Sequence, residues 1–475
     1  MTDRSQTLVW FRRDLRLVDN PAWAAATHHG QRVAAAFVLD PVPWSLAGPR
    51  RRALLVGHLR SLDRGLRRIG SGLFLAEGDP AIVVPELAER LDAGSVHVNS
   101  DVSSYAQRRD ARVRRALGER ELCVHWGNLV HEPGAVVARS TGSVHKVFTP
   151  FHKAWRSTEA HPWPEPRQVE TIAPTDPPRW PAVEHPPMEP GEEAAAGRLA
   201  GWDSEVDHYS ERHDLPAQTS GTSRLSCDLR FGTLAARHVV EAIGEHTEGR
   251  RAFVRQIAWR DWFAHLCFAT PSMSSHAMTP AMDRIAWRDD PSGLARWAEG
   301  STGYPIVDAG MRELARSGIM HNRVRMITAS FLVKDLLGRL APRRGALQAT
   351  ASRLRPPPER GQLAVGGGNG CRCRRTSGCW NPVTQSRRFD PRGEYIRRWV
   401  PELARLPAVR RSTHHGRPTA PISGRRGSNW EPPTRNPWST MPWLARGHSG
   451  RTPRPGPRQV RDARATTPTP VHHTG

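Results

Sequence analysis

Between residues 7 and 127, five short apolar runs (7–11, 32–40, 72–78, 95–99 and 122–127) alternate with stretches of helical periodicity. The stretch 52–69 shows the second pattern, with Leu54, Leu55, Leu59, Leu62 and Leu66 recurring so that most share one helix face. Strands that alternate with helices predict a parallel sheet, because each parallel crossover needs a helix's length of chain and covers a face of the sheet. The N-terminal fold class is therefore α/β, a doubly wound parallel sheet. No GxGxxG follows the first run, so a dinucleotide fingerprint is not what this sheet offers.

The pattern then changes. Residues 160–200 read HPWPEP, PTDPPRWP and EHPPMEPGEE, whose prolines continue neither helix nor strand, and this stretch predicts a surface linker. From 201 onward the chain turns helical, around 234–244, 252–268, 305–317 and 322–337, which predicts an all-α C-terminal domain. The expected organisation is an α/β domain over 1–130, a linker over 131–200, a helical domain over 201–409 and a basic Pro/Arg-rich tail over 410–475.

The formal net charge is +23 over 475 residues. Such a charge points to an anionic partner, nucleic acid ahead of an acidic membrane. Its distribution weakens that argument: residues 1–340 hold 43 basic and 40 acidic side chains, whereas 341–380 carry a net +7 and 410–475 a net +10. Of the basic residues, 66 are Arg and only Lys146, Lys153 and Lys334 are lysine. No run approaches the roughly 18 apolar residues of a membrane helix, and no basic-then-apolar leader opens the chain. Six cysteines are too few for a disulfide scaffold. A cytoplasmic globular protein is expected.

Four segments carry chemistry. Trp10-Phe11-Arg12-Arg13-Asp14-Leu15-Arg16 ends the first strand and leads into Asp19-Asn20-Pro21, a helix start; it is equally a plain charged loop. Tyr209 precedes Gly221-Thr222-Ser223-Arg224-Leu225-Ser226, a turn able to surround phosphate with N–H groups, hydroxyls and a cation. A helix cap by Thr222 or Ser223 explains the same residues. In 252–263, four-residue steps set Arg255 beside Trp259 and Gln256 beside Arg260. That mixture suits a flipped nucleobase and its phosphates, or a core helix with solvated charges. Finally, 302–312 precedes Met320-His321-Asn322-Arg323-Val324-Arg325, where Asn322 and Arg325 share a helical face and Gly310 permits close packing.

Each segment alone has a structural reading, but their order in one chain does not. Together VWFRRDLRLVDNPA, VFTPFHKAW, GTSRLS, RQIAWRDWF, TGYPIVDAGMREL, HNRVRMITASFLVKDLL and NPVTQSRRFDPRGEYIRRWVPEL resemble the DNA photolyase/cryptochrome family, most nearly the microbial class I cyclobutane-pyrimidine-dimer photolyases. The resemblance implies an all-α flavin-binding domain behind the α/β antenna domain. It also implies light-dependent repair of cyclobutane pyrimidine dimers in DNA by electron transfer from reduced FAD, in a monomer. A second antenna chromophore of folate or deazaflavin type is open.

Carried residue by residue, the resemblance places Tyr209, Thr222, Ser223, Arg224, Leu225 and Ser226 at the flavin pyrophosphate and ribityl groups, with Arg325 and Asp335 also near the flavin. It sets Gln256, Trp259, Arg260 and Asn322 on the substrate side, Gln256 standing where some members have Glu. Trp287, ten residues before Trp297, matches the outermost tryptophan of the photoreduction chain.

After Leu337 the resemblance stops, and it resumes at Asn381. Where the family has Asp-Gly-Asp the chain reads Arg353-Leu354-Arg355; Glu359 replaces an Asn, and Leu340 and Leu363 replace the inner tryptophans. Preserved length with replaced, Arg-rich content is the mark of two compensating frameshifts, and the tail has the same composition. Cys371, Cys373 and Cys379 fall in this segment without paired CxxC spacing, and no metal site is expected. The competing functional readings are a cryptochrome-like blue-light sensor without repair activity and an inactive frameshifted photolyase.

Overall fold

A computed structural model describes residues 6–29, 32–160, 163–278, 280–338 and 380–405. The altered interval around Arg353 to Cys379, with Leu340, Glu359 and Leu363, and the tail from 410 lie outside the described residues.

The five expected strands form within two residues of their predicted bounds: β1 (Gln6–Phe11), β2 (Arg32–Leu39), β3 (Leu73–Glu77), β4 (Ala93–Asn99) and β5 (Glu121–His125). They lie in the order β3-β2-β1-β4-β5 with every pair parallel. A sixth strand, β6 (Glu170–Ile172), pairs with Arg32–Ala34 of β2 and prolongs the edge that β3 begins at Ala35. It lies inside the stretch expected to be linker, where three residues between prolines carry no periodicity of their own.

Helices α1 (Pro21–His29), α2 (Pro41–Ser45), α3 (Pro49–Arg68), α4 (Pro80–Arg90) and α5 (Ser104–Ala116) accompany the strands. Asp40, Asp79 and Ser103 cap α2, α4 and α5 by accepting from a backbone N–H two or three residues on. Strand alternation sorts the sheet's side chains. Val9, Phe11, Val33 and Phe37 pack with Trp23 of α1 and Leu59, Leu62 and Leu66 of α3. Leu8, Trp10, Val96 and Val98 pack on the other face with Leu87 of α4 and Val113 of α5. Each fully buried leucine in this stripe contributes about 2 kcal/mol.

The chain from 201 is helical as expected, and two helices precede it inside the expected linker: α6 (Phe148–Ser157), α7 (Glu192–Asp203), α8 (Tyr209–Arg212), α9 (Ser226–Phe231), α10 (Ala236–Ile243), α11 (Glu248–Ala269), α12 (Pro291–Glu299), α13 (Pro305–Ser317) and α14 (Asn322–Ser330). A π-helical turn, Phe331–Asp335, extends α14, and helices Pro382–Phe389 and Glu394–Trp399 follow. Part of the interval 131–200 is more than a connector. Phe148, Phe151 and Trp155 of α6 are buried with Phe253, Ile257 and Trp262 of α11. Among the described residues, no helix is long and apolar enough to cross a membrane.

The arginine-rich segment after β1 joins the two halves. The Leu15 N–H donates to Phe231 O at 3.1 Å, and buried Arg16 donates to Gly232 O at 2.9 Å and to Gly127 O at 2.6 Å. Arg13 pairs with Asp101, and Arg12 with Asp110. The N–H groups of Leu17 and Val18 donate to Glu192 at the start of α7. The segment is thus a charged strand-to-helix loop whose arginines and backbone tie the sheet to the helices.

Candidate flavin and substrate site

Helix α11 is the spine of the site. Its start is capped by Thr247, whose hydroxyl accepts from the Arg250 N–H. Phe253 meets Tyr209 edge-on at 5.4 Å, and Trp202 closes the same aromatic group. Burial drives the Tyr209 hydroxyl well above its ordinary value and keeps it neutral. Within the next two turns, Gln256 is exposed and Trp259 half-buried. One face of Trp259 is covered by Phe148 of α6, stacked at 3.7 Å between centroids and 11° between planes.

Arg260 does not share that outward face. Its guanidinium donates to Asn128 O at 2.5 Å and Leu229 O at 3.2 Å, and lies 3.8 Å from Asp261. Burial pushes its pKa down to about 10. This places it as a tie between α11, α9 and the chain leaving the sheet. Asp261 beside it is buried and accepts from the N–H groups of Val130 and His131 and from Trp155 Nε1.

The turn before α9 supplies an anion cradle. Arg224 is in the left-handed region, with φ 56°, and Leu225 follows with φ −73° and ψ 2°. Consecutive residues of opposite hand direct their N–H groups into one concavity, which suits phosphate oxygens. Among the described residues, the N–H groups of Thr222, Ser223 and Arg224 make no backbone hydrogen bond. Thr222 and Ser223 are half-buried, Leu225 is buried, and Arg224 and Ser226 are exposed. The donor set therefore fits a diphosphate-bearing cofactor.

Helix α14 is brought to this turn by side chains that sequence reasoning did not single out. Glu313 of α13 accepts from the His321 N–H at 3.2 Å and from the Tyr395 hydroxyl at 2.6 Å. Burial raises its pKa, while Tyr395, His321, Arg224 and Arg325 act in the opposite sense. Arg224 and Arg325, far apart in sequence, thus act on one carboxylate. Arg323 pairs with Asp214, five residues past Tyr209, through Nε at 2.8 Å. It also lies over the rings of Trp380 and Phe389. Both Glu313 and Tyr395 stand inside recognised segments, but nothing local in the sequence announces their pairing. Close approach of α13 and α14 depends on Gly310, where a Cβ would come within 2.4 Å of Val324.

Asn322 is exposed at the start of α14. Asp335 ends the π-helical turn, and burial raises its pKa to about 6. Ser330, just before that turn, has a buried hydroxyl without a partner among the described residues; widened turns of this kind recur at functional sites. Trp287 is half-buried in the connection before α12, and the next residue, Arg288, donates its N–H to Leu337 O at 2.9 Å. The loop of Trp287 is therefore fastened to the chain just beyond Asp335. Trp297 is buried, with Nε1 donating to Thr328 O. Tyr209, Thr222–Ser226, Arg325 and the Glu313 group thus form one neighbourhood. Gln256 and Trp259 sit farther along α11.

Comparisons with known proteins show the family to which the chain belongs. A family profile described as DNA photolyase matches residues 7–167, and one described as the FAD binding domain of DNA photolyase matches residues 253–430. The deoxyribodipyrimidine photo-lyase of Halobacterium salinarum is 35% identical over 434 residues, covering 84% of this chain and 90% of that protein. That of Streptomyces griseus is 38% identical over 423 residues, covering 85% and 90%. Among solved structures, a bacterial class III photolyase from Agrobacterium tumefaciens superposes with a TM-score of 0.75 at 30% identity, covering 85% of this chain and 88% of that one. An archaeal photolyase from Sulfolobus tokodaii, described with two FAD molecules, gives 0.74 at 28% identity, covering 85% and 92%.

Proposed function

Because this chain belongs to the DNA photolyase/cryptochrome family, we propose that it is a light-dependent deoxyribodipyrimidine photo-lyase that repairs cyclobutane pyrimidine dimers. The observation that supports this reading best is the division of labour along α11. Phe253 anchors Tyr209 beside the phosphate cradle, and within the next two turns the same rigid helix presents the exposed Gln256 and the half-buried Trp259.

FAD would be held by the N–H groups of Thr222 to Arg224 at its diphosphate, with Arg224, Ser226, Tyr209 and Arg325 around it and Asp335 at the far end of α14. When bound and reduced, it supplies the light-driven electron that opens the cyclobutane ring. The chain's own part is positioning. Neutral Tyr209 puts no charge beside a diphosphate. Gln256 offers an amide that donates to and accepts from base edges, and Trp259 offers an apolar edge backed by Phe148. Extruding a nucleotide costs a few kcal/mol, and least where stacking is already damaged, so the outward face of α11 favours dimers over intact steps. Trp287 is assigned to electron passage from the surface. The Sulfolobus tokodaii structure with two FAD molecules adds flavin to folate and deazaflavin as a type for the second chromophore.

The test is direct. The purified chain is expected to carry a flavin absorption band and, under near-ultraviolet or blue light, to remove dimers from a defined duplex. Flavin without repair would make it a light sensor, and absence of flavin after reconstitution would make it an inactive member of the family.

A further inference from the structure

The indole of Trp259 meets other rings over most of its surface. Phe148 lies parallel to it, with 3.7 Å between centroids and 11° between planes. Phe263, one turn on along α11, is near-parallel at 5.8 Å and 29°, and Trp262 meets it edge-on at 5.2 Å and 80°. Two near-parallel neighbours and one perpendicular neighbour leave this half-buried indole an edge to offer rather than a face.

The cover comes from a distant part of the chain and is held firmly. Phe148 opens α6, and at 5% exposure it presents no surface of its own to a ligand. Just before it, His145 O accepts from Trp262 Nε1 at 2.7 Å. After it, Phe151 and Trp155 are buried, and Trp155 Nε1 donates to Asp261 at 3.0 Å. Both hydrogen bonds end on α11, the helix that carries Trp259, so Phe148 is fixed over the indole from either side in sequence. Arg255, one turn before Trp259, lies over the Phe148 ring at 5.7 Å.

Every intact nucleobase has a flat π face, so stacking on an open indole is indifferent to damage. A cyclobutane dimer differs: its bases have lost the ring double bonds that keep a pyrimidine flat, and two new bonds hold them at an angle. We propose that Phe148 determines specificity by occupying the face of Trp259 on which an undamaged base would stack, which leaves the indole edge for the dimer. Phe148 acts through Trp259 and is a positioning residue; the inference rests on the repair reading above. Selectivity then comes as much from what the site denies to ordinary bases as from what it offers to the lesion.

Fluorescence anisotropy in the dark tests this, with the flavin-loaded protein and two matched oligothymidylates, one undamaged and one holding a single dimer. Phe148→Leu removes the flat cover. It is expected to tighten binding of the undamaged strand about fivefold and to weaken binding of the dimer strand, so that the preference falls about tenfold. Phe148→Tyr, which keeps the ring, is expected to keep the preference. Phe151→Leu disturbs the same helix, but the Phe151 ring meets His145 and His265 rather than Trp259, and its preference should also stand. In a Trp259→Leu background, Phe148→Leu should have no further effect. Where Phe148→Leu loses its helical signal, Phe148→Met is read in its place, since an unbranched side chain adapts to the gap. An unchanged preference in the folded variant, a loss through weaker dimer binding alone, or an equal loss in Phe151→Leu would overturn the proposal. A wild-type protein that binds both strands alike would sink the repair reading instead, and the gain on undamaged strands in Phe148→Leu would still judge the covered face.

Discussion

Histidine 97 is surrounded by other hydrogen-bonding rings and hydroxyls rather than by carboxylates. Its Nδ1 lies 3.2 Å from His125 Nε2, its Nε2 lies 3.3 Å from Ser95 Oγ, and His29 packs against its ring. His58, fully buried in α3, accepts from the Gly191 N–H at 3.0 Å. Burial pushes both to about 3. With native values below the unfolded 6.5, the unfolded chain binds more protons between the two, so their contribution is complete above about pH 6.5 and is lost as pH falls toward 3. Each group costs roughly 1 kcal/mol for each pH unit below 6.5. Thermal midpoints measured from pH 7 to 4 should fall steadily, and His97→Gln should make that fall shallower; an equal slope in the variant would refute the assignment. Asp261 invites a different test. Asp261→Ala strands the N–H groups of Val130 and His131 and Trp155 Nε1, three donors to one carboxylate oxygen. A loss of more than about 3 kcal/mol in denaturant unfolding is expected.

At the scale of elements, the end of α9 sets how the helical half meets the sheet. Gly232 closes that helix with φ 70°, and a Cβ there would lie 2.0 Å from Arg13 O and 2.6 Å from Asp14 Cα. Both obstacles are backbone, so nothing flexible can yield. Gly232→Ala should lower the denaturation midpoint sharply, by more than about 2 kcal/mol, and expose the segment around Arg13–Leu15 to proteolysis; wild-type stability would show that the junction adapts. Legibility followed the same logic. The strands and α10, α11, α13 and α14 declared themselves because each carries enough periods of its own pattern, and Pro305–Ser317 appears at its expected bounds. β6 and α6 did not: one is three residues long, and the other hides a buried aromatic stripe in a mixed polar sequence. The direction of Arg260 was equally hidden. Spacing along a helix places it near Gln256, but only the neighbouring carbonyls of Asn128 and Leu229 draw it inward.

Over the whole molecule, the proposed flavin site is assembled from segments far apart in the chain. Residues 209–226 bring Tyr209 and the cradle, α13 and α14 bring Glu313 and Arg325, and helix Glu394–Trp399 brings Tyr395, whose hydroxyl donates to Glu313 at 2.6 Å. The motifs named Tyr209, the cradle and Arg325 because matching stretches can be read locally; Glu313 and Tyr395 were invisible as partners because a hydrogen bond across 82 residues leaves no local pattern. A ligand that joins such segments stabilises only the folded chain, so FAD at 100 times its dissociation constant should add about 2.7 kcal/mol. Tyr395→Phe keeps the buried ring and removes only the hydroxyl that secures Glu313. Its midpoint without flavin should drop by no more than about 1.5 kcal/mol. At a fixed FAD concentration, the flavin-dependent rise should shrink beyond that, because Glu313 is then freer to draw Arg224 and Arg325 away from the cofactor. Calorimetric scans of both proteins with and without FAD separate the two effects. An equal flavin-dependent rise in wild type and variant would show that the Glu313–Tyr395 pair supports the fold alone.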